Sequence, residues 1–513
     1  MEKVILNGSD LTLDQLVAVA RNHATVELAP ETVDAVKKSR GIVEKIVEEE
    51  RVVYGITTGF GSLHNVHISK EDCVQLQENL IRTHAVGDGA PLHEDEVRAV
   101  MLIRVNSLVK GVSGVRLITV QTLIDMLNKN VVPHIPEKGS LGASGDLAPL
   151  SHMVLPMLGL GRAFYEGKLM SGKEAMAKAG IETIHLEAKE GLALNNGTTV
   201  LTAVGALATY DAMQLLKLSD IAGALSLEAH RGIIDAFYEK LHAIRPHAGC
   251  IATAKNIRNL TEGSTYLTHT AELRTQDAYT LRCMPQIHGA SKDTINYVAS
   301  KVAIELNAAT DNPIVISDTE IISGGNFHGE PMAQPFDFLG IGAAEIGNVS
   351  ERRIERLVNH QLSDFPSFLV KHPGLNSGFM ITQYSAASLA SENKVLAHPA
   401  SVDSIPSCEN QEDFVSMGTI AARKARDIVR NSLRCVATEM LAAVQAIDFR
   451  KEMTDGKLGV GTQAAYDAVR EKLNFIADDH EVEMYDELEK ITALLLDGSL
   501  LKAVEEKVTL DLQ

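Results

Sequence analysis

The chain has 513 residues, 45% of them hydrophobic and 22% charged, which excludes a wholly disordered polypeptide. It carries 48 Lys and Arg against 67 Asp and Glu; the resulting formal net charge of −19 argues against wrapping nucleic acid or coating an anionic membrane. Aromatic residues make up 4% and tryptophan is missing, so a base-stacking platform is not expected.

The N-terminal stretch MEKVILNGSDLTLDQL lacks the continuous apolar core of a secretory signal, and Glu2 and Asp10 count against a transit peptide. No uninterrupted apolar run approaches the ~18 residues that span a bilayer. Val52 to Ile56 reads as a short strand, overlapping the glycine-rich segment YGITTGFG that begins at Tyr54. Ser69 to Asp72 has the spacing of a capping box. Helical spacing follows from Glu94 to Lys110, through Val97, Val100, Met101, Val105, Leu108 and Val109, with Gly111 as a stop. It resumes from Val115 to Leu127. Roughly 150 residues per domain suggests three domains. The helices lengthen after about residue 200, so a division into 1–200 and 201–513 is expected instead.

The most informative stretch is VVPHIPEKGSLGASGDLAPLSH, Val131 to His152. Gly139, Gly142 and Gly145 permit tight turns, Asp146 suits an N-cap, and Pro149 is tolerated in a first helical turn. Ala143-Ser144-Gly145 therefore sits just before a helix N-terminus, where the dipole favours developing negative charge. Familiar motifs fail here. A nucleophile elbow needs Gly where Asp146 stands, and a phosphate loop beginning at Gly139 needs Gly-Lys where the chain has Ser144-Gly145. Gly159-Leu160-Gly161 lacks the third glycine of a dinucleotide fingerprint, because Phe164 occupies its place. A bare Ala-Ser-Gly is ordinarily a capping loop. The sharper reading is autocatalytic cyclisation, in which the Gly145 nitrogen attacks the Ala143 carbonyl carbon. Loss of two waters then leaves a five-membered ring with the Ser144 side chain as an exocyclic methylene, an electrophile that no unmodified side chain provides.

Further along, GLALNNGTT holds Asn195 and Asn196, and QDAYTLRC places Gln276, Tyr279 and Arg282 together. Tyr279 and Arg282 share a face if helical, and Arg282 suits bidentate capture of a carboxylate. Ile314 to Ile316 reads as a short strand. Ile341 to Leu362 is amphipathic, with Glu351, Arg352, Arg353, Glu355 and Arg356 on its wet side. Val415 to Phe449 runs about 35 residues without proline, a length that favours a bundle or a subunit interface. His242, His247, His269 and His288 lack metal-ligand spacing and read as structural. His134 and His152 flank the reactive loop. Five scattered cysteines, Cys73, Cys250, Cys283, Cys408 and Cys435, form no C-x-x-C pair, so reduced thiols in a cytoplasmic protein are expected.

GSLGASGDLAPLSH resembles the signature of the aromatic amino acid ammonia-lyase family, whose members make a 4-methylidene-imidazol-5-one (MIO) group from Ala-Ser-Gly. The match runs from YGITTGFG at Tyr54 to NQEDFVSMG ending at Gly418. The resemblance implies a mainly α protein, a long antiparallel helical bundle of ammonia-lyase/fumarase type, with the MIO loop and Tyr54 in a smaller N-terminal region. It implies a homotetramer whose active sites combine several subunits, and an MIO group formed from Ala143, Ser144 and Gly145 with no metal or diffusible cofactor. Tyr54 is implied as the base for the β-proton and needs a lowered pKa or help from its surroundings. Tyr279 is implied near the MIO group, Asn196 rather than Asn195 as the amide that holds negative charge, and Phe327 as a pocket residue. Gln276 and Arg282 join the substrate-binding set. Thr57 replaces an Asn common in histidine-specific members.

His84 aligns with the histidine of the Ser-His pair of those members, with Thr83 for Ser, and Glu412 stands where phenylalanine-specific relatives have Gln. A carboxylate accepts an imidazole N–H and offers a phenyl ring nothing. The pair favours deamination of L-histidine to trans-urocanate and ammonia. Phe414 departs from this pattern, since histidine-specific members carry His there. Tyrosine or phenylalanine ammonia-lyase activity, a 2,3-aminomutase, and an inactive helical scaffold are the alternatives.

Overall fold

The computed structural model describes residues 3–513, so Glu2 lies outside it. The protein is mainly α, as expected, with helices accounting for 58% of its residues. Among the described residues, four small sheets accompany them. Two compact units are distinguished among the described residues: those up to 208, with 299–337 and 399–423, form the first, and residues 209–298, 338–398 and 424–513 the second.

In the first unit Lys3–Leu6 pairs in parallel with Thr25–Leu28 across the helix Leu13–Asn22, which Thr12 and Gln15 start with a reciprocal capping box. The helix Glu94–Leu108 buries all its residues from Glu96 onward. That burial takes in two arginines. Arg98 donates to the carbonyls of Val19 and Leu127. Arg104 donates to those of Ala193 and Asn196. Gly111, at φ +70°, follows as the sequence predicts. Leu117–Asn128 matches the next expected helix.

Two expectations are corrected here, and a third holds. Val52 to Ile56 is a turn, not a strand: Thr57 Oγ1 donates to the Arg51 carbonyl and accepts from the Val53 amide, folding the segment on itself. Ser69 and Asp72 do meet, with Ser69 Oγ donating to the Asp72 carboxylate at 2.8 Å, but in a turn that precedes the helix Cys73–His84 and does not cap it. Ile314–Val315 is a strand, antiparallel to Ile321–Ile322; Ile316 lies just past it.

The second unit is built from helices. Several of its buried charges are paired. Arg353 grips Glu439 through two bonds of 2.6 and 2.9 Å. His288 bridges Asp220 and Arg353, which fixes it as a neutral ring donating through Nδ1 and accepting at Nε2. Arg353 and Glu351 are buried, correcting the wet face assigned to them; Arg352 is exposed. Their helix is Glu330–Val358, starting well before Ile341, with Pro331 in its first turn, where proline is tolerated, and Pro335 inside it.

The longest helix is Gly418–Met453, 36 residues. It starts three residues after Val415 because Ser416 and Met417 are spent on pairing with Gly142 and Leu141. The helix Thr199–Ala229 is long and apolar enough to cross a membrane by length and composition, but most of its apolar stretch is buried in the protein. Asp211, Lys217, Asp220 and Glu228 interrupt it.

Candidate active site

Ala143-Ser144-Gly145 lies just ahead of the helix Leu147–Val154, where the sequence placed it. The loop is held at both ends. Upstream, the Met417 amide donates to the Leu141 carbonyl, and Ala143 packs with Val415 and Met417. Downstream, the Gly197 amide donates to Ser144 O at 3.2 Å and the Asp146 amide to Gly197 O at 2.8 Å. Gly145 takes φ +72°, and a Cβ there would stand 2.1 Å from the Gly197 carbonyl oxygen, so only glycine fits. Between these anchors, among the described residues, the Gly145 N–H and the Ala143 carbonyl make no hydrogen bond. These are the two groups that a backbone cyclisation must join.

Asp146 was expected to cap its own helix. Instead its carboxylate accepts the amides of Val200 and Leu201, both at 2.8 Å, at the start of the helix Thr199–Ala229. Its other oxygen accepts from Ser140 and Thr419. Burial raises the Asp146 carboxyl above its ordinary range, opposed by these donors. One fully buried carboxylate thus ties the Ala143–Gly145 loop to two other segments.

Tyr54, His84, Ser144, Asn196 and Glu412 line a single cavity of about 520 Å³. The Ser144 hydroxyl donates to Glu412 Oε1 at 2.8 Å, and Ser407 donates to Glu412 Oε2 at 2.9 Å. The Gly61 amide donates to the Tyr54 hydroxyl at 3.3 Å. Asn196 is buried, and its Oδ1 has no hydrogen-bond partner. A buried orphan acceptor in a cavity is an unmet demand for a donor. Asn195 points elsewhere, donating to Ser151. Asn196, not its neighbour, therefore lines the cavity that Ser144 shares.

The Tyr54 phenol is not eased toward its anion. Burial pushes its pKa up, and the nearby Glu412 and Cys408 push the same way against the Gly61 amide. Any lowering has to come from a bound partner. Burial holds the His84 imidazole below its ordinary value, which favours the neutral ring, although Glu412 pulls it back.

Phe327 is not among the residues that line the cavity. Gln276, Tyr279 and Arg282 belong to the second unit and do not line it. Tyr279 and Arg282 do share a face, since the Arg282 guanidinium lies 4.7 Å over the Tyr279 ring. Phe414 is exposed, and its ring stacks on His328.

Sequence reasoning missed Cys408, whose Sγ accepts the Ser62 amide in the cavity wall. It missed Arg104 and Ser407 as well. Ser407 lies five residues before Glu412, and only the turn between them reveals the contact. No periodic signal marks either residue.

Comparison with known proteins gives one consistent result. The sequence pattern of the family described as aromatic amino acid lyase matches residues 11–471. A histidine ammonia-lyase of Streptococcus pyogenes serotype M1 is 68% identical over 514 residues, covering all of both chains. The crystal structure of histidine ammonia-lyase from Trypanosoma cruzi is 42% identical with a TM-score of 0.91, covering 99% of this chain and 96% of that one. Tyrosine aminomutase from Streptomyces globisporus is 38% identical with a TM-score of 0.94, covering all of both chains.

Proposed function

This chain belongs to the aromatic amino acid lyase family, and from that membership we propose that it is a carbon–nitrogen lyase that deaminates L-histidine to trans-urocanate and ammonia, at the start of histidine breakdown. The reaction faces a poor leaving group and a barely acidic β-hydrogen, so it needs an electrophile for the amine and a base for the proton. Formed from Ala143, Ser144 and Gly145, an MIO group supplies that electrophile. The residues fit it: Gly145 stands where no Cβ is tolerated, its amide and the Ala143 carbonyl are unengaged, and the buried Asn196, whose Oδ1 has no partner, lines the same cavity as Ser144.

The chain's own side chains take the remaining roles. Glu412 accepts an imidazole N–H of the substrate, and a neutral His84 provides a second hydrogen-bonding edge. Tyr54 takes the β-proton; burial first, and then the Glu412 charge, hold its phenol above its ordinary pKa. Asn196 holds developing negative charge. Arg282 binds the substrate carboxylate, Tyr279 and Gln276 flank the amine, and Phe327 bounds the ring. We assign these last four to a homotetramer in which several subunits build each site. The second unit supports this, because its Tyr297, Phe338 and Ile341 are exposed around one apolar depression. A cytoplasmic location accords with five cysteines that are all free.

The observation that carries the reading is the 2.8 Å bond from Ser144 to Glu412 within the cavity that Tyr54 also lines. It sets an imidazole acceptor against the reactive serine. The test is turnover of L-histidine, L-tyrosine and L-phenylalanine by the purified protein and by Ser144→Ala. Histidine alone is expected to yield product, lost in the variant by at least ~10³-fold. Turnover of tyrosine alone, or a β-amino acid product, would replace the substrate or the outcome.

A further inference from the structure

We propose that Glu412 also drives the dehydration of Ser144, acting on the polypeptide before it acts on any substrate. The inference rests on the reading that Ala143-Ser144-Gly145 cyclises. The Ser144 hydroxyl donates to Glu412 Oε1 at 2.8 Å. The one oxygen that has to leave to create a methylene is thus already held by a carboxylate. Hydroxide is a poor leaving group, so this elimination needs a proton delivered to Oγ as the Cβ–Oγ bond breaks.

A single carboxylate balances the step. Glu412 takes the proton from Cα of Ser144, and the C–H electron pair becomes the second bond between Cα and Cβ. The Cβ–Oγ bond breaks, and Oγ departs as water with its own hydrogen and the one that Glu412 returns. One water is lost, nothing is oxidised or reduced, and Glu412 ends ionised with Oε1 released. The other water takes the Ala143 carbonyl oxygen together with the Gly145 and Ser144 amide hydrogens: the Ala143 carbon bonds to the Gly145 nitrogen, its C–O bond breaks, and a double bond forms between it and the Ser144 nitrogen, with no part for Glu412. The same carboxylate is then free to accept a substrate N–H.

The local fold holds Glu412 for this task. Ser407 Oγ donates to Oε2 at 2.9 Å, and Ser407 and Glu412 pair through an antiparallel bridge. The chain turns back between them through Cys408, Glu409 and Asn410 at φ +50°, +56° and +65°. Three successive left-handed non-glycine residues are a conformation that the surrounding structure has to impose. Ser407 is in this sense a positioning residue. It occupies one carboxylate oxygen and leaves the other for Ser144.

Intact mass tests the proposal without an activity assay. Wild type, Glu412→Gln and Glu412→Asp are purified and sampled at fixed times after synthesis. Wild type is expected to become two waters lighter than its encoded mass. E412Q keeps the side-chain volume but has no basic carboxylate, and is expected to lose one water at most. E412D keeps the carboxylate on a shorter stem, and is expected to lose the second water at least tenfold more slowly than wild type. E412Q that loses both waters at the wild-type rate overturns the proposal. Should E412Q lack the helical circular dichroism of the folded chain, the E412D comparison decides, and an unchanged rate there overturns it. Wild type that keeps both waters overturns the cyclisation reading instead.

Discussion

Gly145 and Gly197 approach so closely that a methyl group on Gly145 would overlap the Gly197 carbonyl, at 2.1 Å. The two segments pair as a parallel bridge, and Gly145 sits in the left-handed region at φ +72°. Gly145→Ala therefore meets both a conformational and a steric penalty. The expected cost is at least ~2 kcal/mol of unfolding free energy, with no loss of water from the chain. Denaturant unfolding and intact mass check the two halves. A stable, fully dehydrated variant would contradict them.

Asp146 stabilises by filling a demand rather than by its charge alone. Removing its carboxylate in Asp146→Ala leaves the Val200 and Leu201 amides, both buried, without an acceptor. At roughly 1–3 kcal/mol for each unsatisfied group, a loss of about 3 kcal/mol is expected. Asp146→Asn keeps one carbonyl oxygen for both amides, and the Ser140 and Thr419 hydroxyls can rotate to accept from its NH₂. Its expected cost is about 1 kcal/mol. Equal losses in the two variants would show that the charge, not the acceptor, matters.

Tyr54→Phe removes the hydroxyl and leaves the ring. A general base contributes roughly 10² to 10⁴ in rate, so turnover is expected to fall by at least ~10²-fold while the chain still becomes two waters lighter. Because burial and Glu412 hold the phenol above its ordinary pKa, wild-type kcat/KM is expected to keep rising on the alkaline side of neutrality. A pH–rate series checks the slope, and a profile flat from pH 7 to 10 would remove Tyr54 from the role.

His152 gives the fold an acid limit. Its Nε2 accepts the Gly87 amide at 3.0 Å, which only an unprotonated nitrogen can do. Burial first, then the charges of His134 and Arg162, lower its pKa to about 4. The unfolded chain takes up this proton near pH ~6.5. Between about 4 and 6.5 the unfolded state therefore binds more protons, so stability falls as pH falls through that window. His152→Gln offers an amide oxygen to Gly87 at every pH. Its Tm is expected to vary less steeply across the window than that of wild type, and an unchanged slope would assign the effect to other histidines, such as the buried His230.

The helices and the loop at Ala143-Ser144-Gly145 were legible because each rests on a local signal. Apolar steps gave Glu94–Leu108 almost to the residue, and the glycines around Ser144 marked a loop before a helix. What escaped the sequence was set by distant partners. Arg353 reads as a surface residue until Glu439, 86 positions away, is seen to neutralise it. Asp146 reads as the cap of its own helix, yet it serves one that begins more than fifty residues later. Val52 to Ile56 has β-branched residues suited to a strand, and the hydroxyl of Thr57 folds it into a turn instead. For the site, Tyr54, His84, Asn196 and Glu412 were named from sequence and share one cavity with Ser144. The Ser407 hydroxyl reaches Glu412 only because the chain turns back between them, and Arg104 is buried against the Asn196 carbonyl; no spacing encodes either.

The most direct measurement is the mass of the peptide that spans Ala143 to Gly145, taken from protein that is turning over L-histidine. The account predicts a peptide lighter by two waters than its sequence requires. An unmodified Ala-Ser-Gly in an active preparation would contradict it.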